Sequence, residues 1–231
     1  MLICDWQDEA AYTRLRELDG AAWAWEFLRR NPDYQREWLA FHQTWQALEA
    51  AYGRPPDRDF CAWQKDPRAW VAADECNGDC RIDSDKVLIE CAFGARWGFH
   101  KFPPDPRDDG AVSKGHLSWR ERESHSLLLE EGVRPDPLTQ AALLFDLDMP
   151  LKQQLERARR ELVVLQRYRQ RQQGMAMRSV GLLADGWIEQ LRALDAEAAG
   201  VDPLAHFAGE LIAQAHAMRE RGYLDLPAIP G

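Results

Sequence analysis

The stretch NPDYQREWLAFHQTWQALEAAYG, residues 31–53, decides how the chain is read. Asn31 is a good helix cap, and Pro32 fits a first turn, where its missing N–H costs nothing. Beyond them Tyr34, Trp38, Phe41, Trp45, Leu48 and Tyr52 recur at steps of four and three, which places all six on one helical face. Gly53-Arg54-Pro55-Pro56 stops the helix. The stripe, with Trp38, Phe41 and Trp45 at its centre, reads as core or as subunit contact. A base-stacking platform is the other use of such a surface, and the acidic surroundings argue against it.

Toward the N-terminus, DWQDEAAYTRLRELDG at 5–20 begins with acids and ends on Gly20, the charge order and cap of a helix. AAWAWEFLRR follows. Residues 1–60 are therefore expected to form a helical, aromatic-rich N-terminal domain. Residues 61–149 differ: Gly, Pro and Asp are dense and apolar runs are short. KVLIECAF, ARWGFHKF, HLSWRE, SHSLLLEE and AALLFDLD have strand-like length and content, and a small antiparallel sheet is expected. PPDPRDDGAVSKG at 103–115 reads as a surface loop or linker.

Residues 150–231 return to helix. Asp148 can cap and Pro150 fits a first turn, and Leu151, Leu155, Ala158, Leu162 and Leu165 repeat at four and three. On a helix of 3.6 residues per turn, Gln153, Arg160, Arg167 and Arg171 fall on the opposite side, with Arg157 flanking. Gly174 ends or kinks this helix. A second helix near 177–199 ends at Gly200, and Asp202-Pro203 starts a third that runs to Gly222. The fold class expected is α+β and mainly helical: a helical N-terminal segment, a small sheet in the middle and a helical C-terminal domain.

Charge is unevenly spread. The 231 residues carry a net charge of -9, with 45% hydrophobic residues, which is globular composition and excludes a uniformly basic DNA-coating protein. Residues 1–60 hold 7 Lys+Arg against 11 Asp+Glu, residues 61–150 hold 11 against 17, and residues 151–231 hold 11 against 10. In the last segment Lys152, Arg157, Arg159, Arg160, Arg167, Arg169, Arg171 and Arg178 face only Glu156 and Glu161. An acidic body thus carries one basic helix. No apolar run suits a membrane helix, the first residues do not suit a signal peptide, and five cysteines suggest reduced thiols and a cytoplasmic location.

The motifs of enzymes are missing: no GxSxG, P-loop, GxGxxG or HExxH. Cys76 and Cys80, with Cys61, Cys91 and His100 in the wider region, are chemically able to bind zinc, but their spacing lacks paired short motifs and reads as ordinary thiols. His206 and His216 lie ten residues apart on one stretch, too far to chelate together. The chain is read as no enzyme, without metal or cofactor. Arginine holds phosphate through bidentate hydrogen bonds, so Arg160, Arg167 and Arg171 are suited to track a DNA backbone; a solvated amphipathic helix is the plainer use of the same pattern.

GAAWAWEFLRRNPDY at 20–34 resembles the N-terminal signature of the FseA/RovC-like proteins, proteobacterial transcriptional regulators of integrative and conjugative elements. ARWGFHKFPPDP at 95–106, FDLDMPLKQQLERARREL at 145–162, LRALDAEAAG at 191–200 and RGYLDL at 221–226 are similar to later motifs of that family in the same order. The resemblance implies transcription activation by a DNA-binding oligomer with a C-terminal helix-turn-helix. The chain departs from the pattern there. Between Gly200 and Met218 there is no Arg or Lys, and the turn and basic start of a recognition helix are missing. The reading therefore assigns phosphate contact to Arg157, Arg160, Arg167, Arg171 and Arg178. It makes the chain a homo-oligomeric, DNA-binding regulator, an activator, whose partners are promoter DNA, its own copies, and RNA polymerase or another regulator. The alternative is a protein-interaction regulator that does not itself read DNA.

Overall fold

In the computed structural model the Asn31 side chain accepts hydrogen bonds from the backbone N–H groups of Asp33 and Tyr34, and the helix it caps runs from Pro32 to Tyr52. The structure describes residues 4–76, 78, 81–108, 117–121 and 134–230. Among them the chain is mainly helical: α1 (Gly20–Leu28), α2 (Pro32–Tyr52), α3 (Phe60–Trp63), α4 (Ile89–Arg96), α5 (Leu151–Gln172), α6 (Val180–Ala198) and α7 (Gly209–Glu220). One antiparallel pair, β1 (Trp70–Ala72) and β2 (Lys86–Leu88), sets Val71 opposite Val87. By contacts the chain falls into two compact units, Met1–Arg122 with Ser179–Gly231, and Glu123–Arg178.

The first unit is built around α1. Trp23, Ala24, Trp25, Phe27 and Leu28 are all buried, so this helix is enclosed on nearly every side, as a central helix is, with Glu26 its one charged residue. The buried Trp23 and Trp187 rings lie 5.2 Å apart, which packs α1 on α6. Gly20 is not the end of a helix, as its sequence context predicts, but the first residue of α1, with the Asp19 side chain capping Ala22 N–H. A Cβ at Gly20 would sit 2.0 Å from the Leu226 carbonyl oxygen, so glycine here serves close packing and not a turn. The preceding stretch forms a 3-10 helix, Glu9–Glu17.

The α2 stripe divides between two cores. Tyr34 and Trp38 join the cluster around α1, whereas Phe41, Trp45 and Tyr52 pack with Leu48, Trp63 and Ile89 in a second cluster. Of the expected strands, KVLIECAF is strand only at Lys86–Leu88 and turns helical at Ile89, where Ile89, Ala92 and Phe93 take up a helical three-four spacing. ARWGFHKF finishes α4, turns at Gly98 with a φ of 88°, and contributes a single bridge from Phe99 to Trp119 of HLSWRE. AALLFDLD is turn and extended chain without strand pairing, and SHSLLLEE lies outside the described residues.

The proline-rich stretch is only partly the surface loop its composition predicts. Pro103, Pro104 and Pro106 are buried. Their segment is held by side chains of α1, α2 and the turn between them: Trp38 Nε1 donates to the Pro103 carbonyl at 3.2 Å, Tyr34 Oη to Pro104 at 2.6 Å, Arg29 Nε to Pro106 at 3.1 Å and Trp25 Nε1 to Asp108 at 3.2 Å. Proline offers a carbonyl and no N–H, so a proline-rich strap suits a surface that presents only donors. Residues 109–116 lie outside the described residues.

Glu90, in the first turn of α4, is buried, and its Oε2 makes no hydrogen bond to a described residue. Burial raises its carboxyl above the ordinary value, against the opposing pull of its own backbone N–H, Arg58 and Lys101. The charged form is thus disfavoured in the folded state. Stability from this group is present at low pH and declines as pH rises toward the raised value. Glu90→Gln is expected to raise stability at pH 7, by up to about 1 kcal/mol, and to change little at pH 4. Thermal unfolding at both pH values checks this; destabilisation at pH 7 would show that the charge is needed.

Candidate nucleic-acid interface

α5 is the basic helix of the sequence, and it forms from Leu151 to Gln172. Its start differs from expectation. Asp148 does not cap it. Instead Gln154 reaches back, its Oε1 accepting from Asp146 N–H at 2.9 Å and its Nε2 donating to the Asp146 and Met149 carbonyls at 2.8 and 3.3 Å. The longer amide side chain supplies both a donor and an acceptor, which the Asp148 carboxylate cannot. Gly174, with a φ of 65°, follows the last turn and lets the chain leave in the left-handed region.

On this helix Arg160, Arg167 and Arg171 lie within about 40° of one another around the axis, with rises of about 10 Å and about 6 Å between them. All three side chains are exposed. None makes an ion pair with a described residue, whereas Arg157 is bound to Glu161 at 2.8 Å. Arg169, on the other face, donates to the Leu138 and Gln140 carbonyls. Arg178 is exposed in the segment between α5 and α6, off the helix that carries the other three. The basic set therefore separates into an open ridge of three, a partly neutralised flank at Arg157 and an isolated Arg178. Seven cations against two acids make α5 the most basic element of an acidic chain. Like charges at this spacing repel one another and are stable where polyanion or salt screens them.

The C-terminal helices lack such a surface. Asp202 caps only a 3-10 turn, Pro203–Ala205, so the expected third helix is split and α7 begins at Gly209. The exposed positions of α7 are Gly209, Glu210, Ala213, Gln214, Ala217 and Glu220, with no cation among them. Arg219 is turned inward to Glu197 at 2.8 Å, which also meets His216 at 3.1 Å. α7 offers no side chain for phosphate, which agrees with the missing recognition-helix pattern.

The aromatic candidates are engaged inside the fold. Trp38 holds Pro103 and stacks on His42 at 4.6 Å, Phe41 stacks on Phe93 at 4.9 Å, and Trp45 meets Trp63 edge-on at 5.0 Å. Arg58 lies over the Trp63 ring at 3.7 Å. Above them Trp38, Phe41, Trp45, Phe102 and Pro103 line a shallow groove of about 370 Å³. Among the described residues no group of three or more His, Cys, Asp or Glu is placed to hold a metal ion, and Cys80 lies outside them. No described helix is long and apolar enough to cross a membrane.

A polar cluster that the sequence reading missed sits under α1. Arg30 donates to both carboxylate oxygens of Asp195 at 2.9 Å and to Glu26 Oε2 at 2.6 Å. Tyr12 Oη donates to Asp195 at 2.7 Å, and Arg29 donates to Glu26 Oε1 at 3.2 Å. Its one sequence signal is the placement of Glu26, Arg29 and Arg30 within an apolar helix and its immediate end.

Compared with known proteins, residues 5–62 match the family model of a proteobacterial transcriptional regulator-like domain. This covers α1, α2 and most of α3 and supports a regulatory role for the chain. No curated protein and no solved structure matches it.

Proposed function

We propose that the protein is a transcriptional regulator, an activator of the FseA/RovC-like kind, that acts as a homo-oligomer and contacts DNA phosphates through α5. The observation that carries this reading is the open ridge of Arg160, Arg167 and Arg171 on a chain that is otherwise acidic. The regulator-like match at residues 5–62 supports the regulatory half. Each guanidinium can bind a phosphate oxygen pair, and displacement of condensed counterions supplies the affinity. Arg178 and Arg157 extend the contact. Such contacts position the protein and carry little base selectivity.

The test is binding to duplex DNA from the upstream regions of neighbouring genes, followed across salt concentration. Arg160→Ala, Arg167→Ala and Arg171→Ala together are expected to weaken binding about evenly across sequences. They should also lower the slope of log affinity against log salt by about 2–3, at about 0.9 per phosphate contact. An unchanged slope would remove α5 from the interface.

One observation favours a second reading, a protein-interaction regulator. Phe102 is 52% exposed at the rim of the aromatic groove and is held at a φ of 43°, which is rare for a bulky residue. RNA polymerase or another regulator would be the partner there. Loss of partner capture in Phe102→Ser, with DNA binding unchanged in the arginine variant, would favour this reading over the first.

A further inference from the structure

The strap at Pro103–Asp108 marks a track along α1, the turn after it and α2. Trp25, Arg29, Tyr34 and Trp38 donate in turn to the carbonyls of Asp108, Pro106, Pro104 and Pro103, so rising numbers on the helices meet falling numbers on the strap. Aromatic surfaces hold polyproline II segments in this way, because such a segment makes no internal hydrogen bonds and leaves its carbonyls free for donors. This face of the molecule thus already binds one proline-rich stretch, its own.

The track does not end at Trp38. Trp45 stands seven residues further along α2, on the same face and about 10 Å on. One turn of polyproline II, three residues of about 3.1 Å each, spans about 9 Å. A proline-type segment continuing the line of the strap beyond Pro103 therefore brings a carbonyl to Trp45. The chain itself leaves that line. Phe102 has a φ of 43°, and Lys101 packs against Gly94 of α4, where a Cβ would meet the Lys101 Cα at 3.4 Å. What stays uncovered is the groove over Trp38, Phe41 and Trp45, walled by Phe102, which meets Trp45 edge-on at 5.4 Å. Among the described residues Trp45 Nε1 has no hydrogen-bond partner, and it is open to solvent. The carboxylate that lines the groove is taken: Glu49 is bound by Arg54 at 3.2 Å and by Arg58 at 3.5 Å. Proline fits what is left. It brings an apolar ring for the aromatic faces, a carbonyl for the indole, and no N–H that burial would strand.

The geometry points to the groove over Trp38, Phe41 and Trp45 as a docking site for an extended, proline-rich segment of a partner protein, laid along the line of this chain's own strap. The inference rests on the second reading above, the protein-interaction regulator, and names the chemistry of its partner. Trp45 is the donor, as Trp38 is for Pro103, and Phe102 is the side wall.

The experiment is a titration of the full chain with a proline decamer, followed by NMR of its indole and backbone N–H signals. The Trp45 indole signal is the one that Trp45→Phe removes. A glycine-serine decamer is the control. The Trp45 signal is expected to shift saturably with the proline peptide, with a Kd below about 1 mM, and to ignore the control. Trp45→Phe keeps a ring and removes the donor, and should weaken the proline peptide about fivefold, the worth of one hydrogen bond. Phe102→Ser removes the wall and should weaken it about tenfold. Both affinities are read from the backbone signals of α2, and both variants should keep the native far-UV circular dichroism and thermal unfolding. The proline site is overturned by the absence of a saturable shift, by equal binding of the control, or by unchanged affinity in either variant. Partner capture that Phe102→Ser abolishes, in a chain that ignores the proline decamer, overturns this inference and leaves the interaction reading standing. Proline binding at Trp45 with partner capture intact in Phe102→Ser does the reverse.

Discussion

Replacing Arg30 with Met is expected to destabilise the fold by about 3–5 kcal/mol, the range for removing one partner of a buried ion pair. Typical domains have about 5–15 kcal/mol in total, so the variant approaches the threshold of folding. The reason lies in what remains. Glu26 and Asp195 are buried at 4% and 0% exposure, and Arg30 is the group that bonds both. Without it Asp195 keeps only the Tyr12 hydroxyl among the hydrogen bonds described for its side chain, and Glu26 keeps Arg29. Adding Asp195→Asn should recover part of the loss, because it removes one stranded charge. Denaturant unfolding followed by tryptophan fluorescence measures both variants. A cost under about 1 kcal/mol would mean that the chain relaxes to let water reach the carboxylates.

The same cluster sets a pH dependence. Burial alone would raise the Glu26 carboxyl, but the Arg30 and Arg29 guanidiniums outweigh it and hold the group below its ordinary value. A depressed folded value contributes stability above the ordinary carboxylate range, which is lost as pH falls through the lower folded value. In the Arg30→Met protein the strongest opposing charge is gone while burial remains. The difference between native and variant should therefore narrow between pH 7 and pH 4.

Gly20→Ala should have an effect of similar size through packing. The new Cβ meets backbone on two sides, the Leu226 oxygen at 2.0 Å and the Ile229 oxygen at 3.0 Å. A carbonyl of the C-terminal turn cannot swing aside as a side-chain tip can, so α1 or the turn must move. Overpacking costs about 1–3 kcal/mol, and more where backbone is the obstacle; about 3 kcal/mol is expected here. Thermal unfolding checks it. On an exposed helix the same substitution would stabilise by about 1 kcal/mol, so even the sign separates a packing role from a flexible one.

Local pattern was legible where the structure depends on local pattern. The Asn31-Pro32 start, the stop at Gly53, the leucine and arginine faces of α5 and the turn at Gly200 follow from residues within a few turns of one another. The strands were less legible. Apolar runs of four to eight residues suit strand and helix alike, and in KVLIECAF both occur, with the change at Ile89. Asp148 and Gln154 show the limit at helix ends: two residues can serve the same turn, and side-chain reach decides between them. At the candidate interface, the sequence placed Arg160, Arg167 and Arg171 on one face. It could not show that Arg157 is engaged by Glu161 or that Arg178 stands off the helix.

By itself the sequence determined the mainly helical class, the presence of a small antiparallel sheet in the middle region and the placement of the arginines on one helical face, because hydrophobic period and charge spacing act over one element at a time; the strand Trp70–Ala72 it did not show. The tertiary structure alone decided which distant segments meet. WAWEFLRRNPDY, the strap at Pro103–Asp108, Asp195 of LRALDAEAAG and the RGYLDL turn all meet α1 or the turn that follows it, through Trp25, Arg29, Arg30, Tyr34 and the gap at Gly20. Arg30 and Asp195 are 165 residues apart. No spacing rule reaches that far, and in sequence a buried carboxylate looks the same as a solvated one; only the packing that removes water tells them apart.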